Sequence, residues 1–330
     1  MLKLPHLETL REGKNLLAFS AGVDSTALFF LLLKSNVTFD IAIVNYNIRE
    51  QSQEEVAYAK SLAKKHKIQV HVLEAPTIKK NFEANARKIR YDFFQSLIEK
   101  HSYTALLTAH HLGDRLEWML MQLCKGAGCL ELAGMRGIES REAYKLIRPL
   151  LSYDKEELIH YLKEKKIKYF EDATNADENI TRNSFRHKFA NPLLEEYKKG
   201  IQKSFAYLDE DRDTLAKKKT IHKIEELLYF QSSHARENIF NIDLCLKQNA
   251  HLMSANEKEL LKANVTTIIG RKFVVSQHEK YTFILPYEEK QAVMSKEFKE
   301  ECRKLKLDPK IRSYLYKNMQ VFAKVKELLS

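Results

Sequence analysis

Short apolar runs alternate with stretches of helical period through the first half of the chain. The apolar runs are continuous, as in strands that are covered on both faces of a sheet. The predicted strands cover residues 15–20, 39–44, 68–73, 104–108 and 145–148. The predicted helices that follow them cover residues 24–34, 52–66, 82–101, 112–125 and 154–165. Repeated strand–helix units predict an α/β fold built on a doubly wound parallel sheet.

The pattern changes after about residue 190. Amphipathic stretches at 193–209 and 215–231 predict helices, and two apolar runs within residues 266–285 predict a late β-hairpin. A length of 330 residues also fits two domains. We therefore predict a first domain at residues 1–190 and an appended, mostly helical domain at residues 191–330.

Composition indicates the kind of compartment. No apolar run approaches the roughly 20 residues of a membrane span. Residues 1–13 lack the apolar core of a secretion signal. The four cysteines, Cys124, Cys129, Cys245 and Cys302, are too few for a disulfide framework in a chain of this length. We expect a cytoplasmic protein with reduced thiols and no membrane contact.

The charge balance indicates a class of partner. Lysine and arginine number 55 against 44 acidic residues, which gives a net charge of +11. Phosphate polymers are attracted to such a surface, so nucleic acid is the leading partner hypothesis. The second region contributes a basic cluster at residues 217–219.

A candidate phosphate-binding loop joins the first predicted strand to its helix. Its residues are Ser20, Ala21, Gly22, Val23, Asp24 and Ser25. A helix start offers unpaired backbone N–H groups and a positive dipole end, both of which suit a phosphate. The lysine of the Walker loop and the G-x-G-x-x-G dinucleotide pattern are both absent. The structural alternative is an ordinary helix cap, because Ser, Asp and Thr commonly begin helices.

A second candidate site follows the fourth predicted strand, at residues 108–117. Asp114 and Glu117 are three residues apart and share one helical face. Carboxylates in a first helical turn are also favoured by the dipole alone. His110 and His111 are adjacent, so we expect at most one of them to face a ligand. A histidine with two carboxylates could hold Mg²⁺, orient an amine or steer a proton.

Both loops resemble those of a known family. Residues 20–25 resemble the S-G-G-x-D-S loop of the N-type ATP pyrophosphatases, with Ala21 in place of one glycine. Residues 108–118 resemble the T-A-H-H-x-D-D-Q-x-E-T segment of tRNA(Ile)-lysidine synthetases, with departures at Gly113, Arg115 and Trp118. Tyr46 stands where that family has histidine. Further matches in order are Asn45, Arg49, Ser52, Glu55, Glu83, Arg87, Arg90, Arg148, Asp172, Asn175, Arg182 and Arg186.

The resemblance implies a reaction at a tRNA base. ATP activates the C2 carbonyl oxygen of the wobble cytidine in an isoleucine tRNA with a CAU anticodon, and pyrophosphate leaves. The ε-amine of L-lysine then attacks C2 and expels AMP. The implied cofactors are ATP and Mg²⁺, and the implied fold is the PP-loop α/β fold. A homodimer is left open.

The resemblance also implies roles for particular residues. The loop residues Ser20 to Ser25 would bind ATP, and Asp24 would hold Mg²⁺. Asp114 and Glu117 would form an acidic pocket for the lysine ammonium, and one of them or a histidine would accept its proton. The remaining implied residues are His110, Arg182 and Arg186 for catalysis, with the two arginines gripping triphosphate or RNA, and Arg87 and Arg90 for substrate binding.

Two other functions compete with this interpretation. A related PP-loop tRNA thiolase would need a cysteine pair or a persulfide carrier, for which Cys124 and Cys129 are a poor substitute. A non-catalytic tRNA-binding protein with a decayed site would explain Ala21 and Gly113. The retained Ser20, Asp24, Asp114 and Glu117 argue against decay.

Overall fold

The chain forms two compact units, Met1–Arg212 and Asp213–Ser330. The computed structural model describes residues 2–47, 51–171, 181–215, 217–290 and 292–330. The division falls later than the boundary expected at residue 190. The reason is packing, because Leu194 and Phe205 of the long helix after residue 190 join Leu112 and Leu116 in one apolar cluster of the first unit.

The first unit alternates strands and helices. In chain order its elements are α1 (Leu7–Glu12), β1 (Asn15–Ala18), α2 (Val23–Lys34), β2 (Phe39–Asn45), α3 (Gln51–His66), β3 (Val70–Glu74), α4 (Phe82–His101), β4 (Ala105–Leu107), α5 (Leu112–Leu123), α6 (Cys129–Leu132), β5 (Ile138–Ser140), β6 (Lys145–Ile147), α7 (Lys155–Glu164), α8 (Thr181–Phe185), a π-helical turn (Arg186–Ala190) and α9 (Asn191–Leu215). The ten strands and helices predicted before residue 170 are all present. Strand β5 was not predicted.

The sheet of the first unit has the order β3-β2-β1-β4-β6-β5. All neighbours are parallel except β5, which runs antiparallel to β6. The predicted doubly wound fold is thus confirmed. The chain moves outward from β1 in one direction to β2 and β3, and in the other direction to β4 and β6. Ligands of such sheets bind beyond the carboxyl ends of the strands where the order reverses, here β1 and β4.

Apolar packing covers both faces of this sheet. Leu17 and Leu107 belong to the cluster that contains α2, whereas Leu16 and Leu106 belong to the cluster that contains α4. All four side chains are fully buried. This packing holds the turns after β1 and β4 side by side at one edge. No helix among the described residues is long and apolar enough to cross a membrane.

The second unit combines helices with an antiparallel sheet. Its strands are β7 (His222–Ile224), β8 (Leu227–Gln231), β9 (Thr266–Ile269), β10 (Phe273–Gln277) and β11 (Tyr281–Pro286), in the order β7-β8-β11-β10-β9. Its helices are α10 (Ala235–Gln248), α11 (Ala255–Ala263), α12 (Lys296–Lys304), α13 (Pro309–Lys317) and α14 (Met319–Leu329). The predicted hairpin is the antiparallel pair β10–β11.

The helix predicted at residues 215–231 is wrong. Helix α9 ends at Leu215, and residues 222–231 form β7 and β8 instead. Leu227, Tyr229 and Phe230 are buried in the sheet. Aromatic and other large apolar side chains fit a pleated, covered surface, and this tertiary burial outweighs the helical period of the segment.

Candidate active site

The turn between β1 and α2 exposes backbone groups where a phosphate could bind. Ala21 has φ +60°, and its carbonyl accepts a hydrogen bond of 3.0 Å from the Phe170 amide. Gly22 is the N-cap residue, and it offers no side chain to bond the first amides of α2. The hydroxyls of Ser20 and Ser25 lie 3.1 Å apart beside it. A helix start of this kind is suited to an anion.

Asp24 carries a carboxylate oxygen that suits a cation. The side chain as a whole is 32% exposed. Its Oδ1 atom, however, is buried and has no hydrogen-bond partner among the described residues. Burial raises the pKa of Asp24, and the nearby His111 opposes this. A hard cation such as Mg²⁺ would satisfy the orphaned oxygen.

Phosphate and water oxygens would supply the further ligands of such a metal. The part of the chain that the structure describes contains no group of three His, Cys, Asp or Glu side chains placed to hold a metal. Mg²⁺ in nucleotide sites is commonly bound by one or two carboxylates together with phosphates and water. The residues present therefore fit a metal that arrives with a nucleotide.

His111 connects the two loops. Its Nδ1 accepts a hydrogen bond of 3.0 Å from the Gly113 amide, so Nε2 carries the proton in the neutral ring. Nε2 lies 4.0 Å from Asp24 Oδ2 and 3.6 Å from Asp114 Oδ2. The His111 amide also donates to Asp114 Oδ2 at 3.0 Å, which completes a reciprocal cap of α5. Sequence reasoning did not select His111, although its position just before the helix was the available signal.

Gly113 makes room for this cap. A Cβ atom at residue 113 would lie 2.7 Å from Cε1 of His111. No real Cβ atom approaches so closely, so a side chain there would push the imidazole away from the helix start. The glycine that replaces the family's acid thus leaves room for the imidazole in the position that it has here.

His110 has a different hydrogen-bond partner from His111. Its Nδ1 lies 2.9 Å from the Thr108 hydroxyl, within hydrogen-bond distance. Burial lowers the pKa of His110 to about 4, with Arg148 and Arg182 adding to the effect and Asp114 opposing it. His110 is therefore neutral near pH 7. A group with so low a pKa is a weak base.

Two arginines form ion pairs with the carboxylates of α5. Arg182 bonds Asp114 through Nη2 at 2.5 Å and Glu117 through Nε at 2.8 Å. Arg186 bonds Glu117 through Nε at 2.5 Å. Glu117 is only 1% exposed. The open acidic pocket expected for a lysine ammonium is therefore filled by guanidinium groups, because the basic face of α8 and the π-helical turn packs on α5.

The same contacts set the charge of Asp114. Burial alone would raise the pKa of this carboxyl, but His111, Arg182 and His110, together with the His111 amide, hold it well below its usual range. Asp114 is consequently ionised at neutral pH. It can hold a cation, and it is too weak a base to take a proton from an amine.

A cavity of about 300 Å³ opens beside the first turn. Its lining includes Ser20, Gly22, Asp24 and Ser25 from the turn, His110 from the second loop, and Tyr46, Arg87 and Arg90. Arg87 and Arg90 are exposed, and the Arg87 guanidinium lies 4.8 Å from the centre of the Tyr91 ring. The structure thus brings α4 arginines and the phosphate-binding turn to one cavity.

The departures Arg115 and Trp118 and the matched Arg148 make structural contacts. Buried Arg115 donates to the Ala133 carbonyl at 2.8 Å and pairs with Asp209 at 2.7 Å. Trp118 donates to the Glu131 carbonyl at 3.3 Å, and Arg148 to that of Arg136 at 2.8 Å. Arg49, Asp172 and Asn175 lie outside the described residues.

Comparison with known proteins identifies the family of the chain. A family model described as a PP-loop domain matches residues 3–193. A tRNA(Ile)-lysidine synthase of Helicobacter pylori is 42% identical over 94% of this chain and 92% of its own. Those of Wolinella succinogenes (43%, over 96% of this chain and 97% of its own) and Campylobacter jejuni (41%, over 94% of each) are similarly close. With a PP-loop domain and such relatives over nearly its whole length, the chain belongs to the tRNA(Ile)-lysidine synthase family.

Proposed function

We propose that this protein uses ATP to join lysine to C2 of the wobble cytidine of an isoleucine tRNA with a CAU anticodon. The reaction would proceed through an adenylated cytidine and release pyrophosphate and then AMP. One observation supports this most strongly. His111 lies between Asp24 of the phosphate-binding turn and Asp114 of the cluster on α5. The proposed nucleotide site therefore adjoins the proposed site for the lysine ammonium.

The turn after β1 serves the first half of the reaction. The amides at the start of α2 and the hydroxyls of Ser20 and Ser25 would hold the leaving pyrophosphate. Donors that are already in place stabilise the charge that grows as the α–β phosphate bond breaks. Asp24 would hold Mg²⁺ through its orphaned Oδ1, and the metal would neutralise triphosphate charge.

The cluster on α5 serves the second half. The lysine ammonium would bind Asp114, whose side chain is 12% exposed, in exchange for Arg182, which is 38% exposed. Arg186 is 17% exposed and would keep the buried Glu117 paired. The released Arg182 guanidinium would then be available to phosphate oxygens, which planar guanidinium groups bind well.

Proton transfer from lysine is limited by the weak basicity of two of the expected acceptors. Free lysine has a pKa near 10.4, so the ammonium must lose a proton before it attacks. Asp114 is ionised and His110 has a pKa of about 4, so both are weak bases. These groups orient the amine, and removal of the ammonium from bulk water lowers its pKa, so that its proton passes to a water molecule before the amine attacks C2.

The tRNA body would be held through its phosphates by the basic surface of the chain. The net charge of +11 supports such contacts, which fix position and carry no sequence information themselves. Selection of the anticodon would come from bases that are splayed out of the loop.

The competing functions are not favoured. The relatives that match nearly the full length are named for lysidine formation, and none of those given above is a thiolase. A binding protein with a decayed site would not be expected to retain the contacts of Asp114 with His111 and Arg182 and of Glu117 with Arg186.

The proposal is tested by measuring pyrophosphate release while each substrate is left out in turn. The full-length protein is mixed with ATP, Mg²⁺, lysine and an isoleucine tRNA transcript with a CAU anticodon, and labelled lysine in the RNA is counted in parallel. We expect lysine incorporation only when all components are present. One pyrophosphate per enzyme without lysine fits the adenylated intermediate, whereas many turnovers that need tRNA but leave no lysine in the RNA would indicate a different modification. No pyrophosphate release would indicate a binding protein.

A further inference from the structure

Tyr46 links the end of β2 to the beginning of α4. Its hydroxyl donates a hydrogen bond of 2.9 Å to the carbonyl oxygen of Ala86. Its ring meets the ring of Phe82 edge-on, with centroids 5.7 Å apart. A helical carbonyl has two lone pairs, so Ala86 can accept this bond and still pair within the helix. Tyr46 therefore fastens the first two turns of α4 to the sheet.

The first half of α4 has few other anchors. From Phe82 to Phe93, all of which the structure describes, Ala86 is the one buried residue. Asn81, which precedes the helix, has φ +47° and makes no side-chain cap. Segments with few buried contacts and weak caps open locally at low cost. The bond from Tyr46 to Ala86 thus holds a segment that packing alone holds poorly.

This segment carries the two arginines of the cavity. Arg87 directly follows Ala86, and Arg90 lies one helical turn beyond it, where its amide meets the Ala86 carbonyl in α-helical geometry. Both arginines and Tyr46 line the cavity that Ser20 and Asp24 also line. Burial raises the pKa of Tyr46, and the charge of Arg90 opposes this, which agrees with a short separation between the two side chains.

We propose that Tyr46 is a positioning residue that holds Arg87 and Arg90 in place to bind a phosphate group of a nucleotide substrate. This inference rests on the proposed function. The phosphate can belong to ATP or to the tRNA backbone, and both sources present the same anionic oxygens to a guanidinium group. Tyr46 itself makes no step of the reaction. It fixes the helical turn from which the two cations project.

The test is Tyr46→Phe, which removes the hydroxyl and keeps the ring. We expect the KM for tRNA or for ATP to rise roughly three- to tenfold, the loss of about one hydrogen bond, with kcat nearly unchanged. A rise for tRNA alone identifies the RNA backbone as the source of the phosphate, and a rise for ATP alone identifies the triphosphate. Tyr153→Phe is the matched control, because that hydroxyl bonds the Lys3 backbone and does not line the cavity.

A second variant separates positioning from general structure. If Tyr46 acts through the arginines, Tyr46→Phe adds no further rise in KM to an Arg87→Gln/Arg90→Gln protein. An additive rise in that background, or no rise in either KM in the single variant, overturns the inference. Wild-type activity is measured first. An inactive wild type contradicts the proposed function, whereas an active wild type with an unaffected Tyr46→Phe contradicts this inference alone.

Discussion

Ala21 adopts a left-handed backbone conformation that is usually found at glycine. At φ +60° an L-residue other than glycine costs about 1–2 kcal/mol. The methyl group is fully buried against the core of the first unit, and burying one such group contributes about 0.8 kcal/mol. The alanine therefore keeps the turn that the family's glycine makes, with the strain partly offset by packing.

Enlarging this residue should break the turn. A β-branched side chain is a rare outlier at positive φ, and the site is already filled, so Ala21→Val should lose about 2–4 kcal/mol of stability and weaken ATP binding. Ala21→Gly is the control and should stay within about 1 kcal/mol, because relief of strain offsets the lost methyl contact and the added chain entropy. Chemical unfolding and ATP titration measure both. A valine variant that binds ATP normally would contradict the assigned turn.

His110 should make stability depend on pH. Its pKa is about 4 in the folded protein and near 6.5 when unfolded, so the unfolded chain takes up a proton first as the pH falls. The free energy of unfolding is not lowered by His110 above pH 6.5. It falls as the pH drops from 6.5 towards 4, by up to about 1.4 kcal/mol per pH unit. Unfolding of wild type and His110→Gln across this range measures the effect. Equal slopes for the two proteins would show that His110 is not held neutral.

Asp114 should be essential for lysine transfer. Asp114→Asn removes the charge that would bind the ammonium and weakens the pair with Arg182. We expect labelled-lysine incorporation to fall at least about a hundredfold, the scale of lost charge stabilisation in an active site. Asp92→Asn removes a carboxylate from an exposed pair with Lys88 and should leave activity unchanged. Full activity of Asp114→Asn would refute the assigned ammonium site.

At the scale of elements, two buried arginines tie α5, α9 and the segment after α6 together. Arg115 donates to the Ala133 carbonyl and Arg212 to that of Gly134, at 2.8 and 3.0 Å. Both arginines also pair with Asp209 of α9. Arg115 is therefore a structural replacement for the glutamine of the family, because it fixes the helix that carries Asp114 and Glu117.

Asp209→Asn tests this network. Two buried guanidinium groups would lose their shared carboxylate, which is 36% exposed, so we expect a loss of about 1–3 kcal/mol, the scale of a charged hydrogen bond. Asp211→Asn, an exposed position on the same helix, should change stability by less than about 0.5 kcal/mol. Urea unfolding compares the two. Equal stabilities would show that the Asp209 pairs contribute little.

Local pattern was sufficient to predict the five parallel strands of the first unit, the helices that follow them and both loops. Strands with continuous apolar runs and helices with clear caps carry their own signal, as α7 shows, which begins at the reciprocal cap between Asp154 and Glu157. The short edge strand β5 and the strands β7 and β8 were missed, because three to five residues give no clear period and their pairing comes from distant segments. The arginines on Asp114 and Glu117 were also beyond sequence reasoning, since they are 65 or more residues away.

At the scale of the whole molecule, charge should govern binding of RNA. Each phosphate that a lysine or arginine neutralises releases counterions, so affinity falls as salt rises. With a net charge of +11, we expect the Kd for tRNA to rise at least roughly tenfold between 50 and 200 mM salt. Filter binding or fluorescence anisotropy measures this. A flat response would contradict phosphate contacts as the main source of affinity.

The position of ATP bound to the full-length protein tests the central claim most directly. In a crystal structure with ATP and Mg²⁺, the β- and γ-phosphates should lie within hydrogen-bond distance of the amides that begin α2, with the metal on Asp24. The α-phosphate should face the His111 and Asp114 side of the site. A nucleotide bound elsewhere, with the turn from Ser20 to Ser25 free of phosphate, would contradict the account.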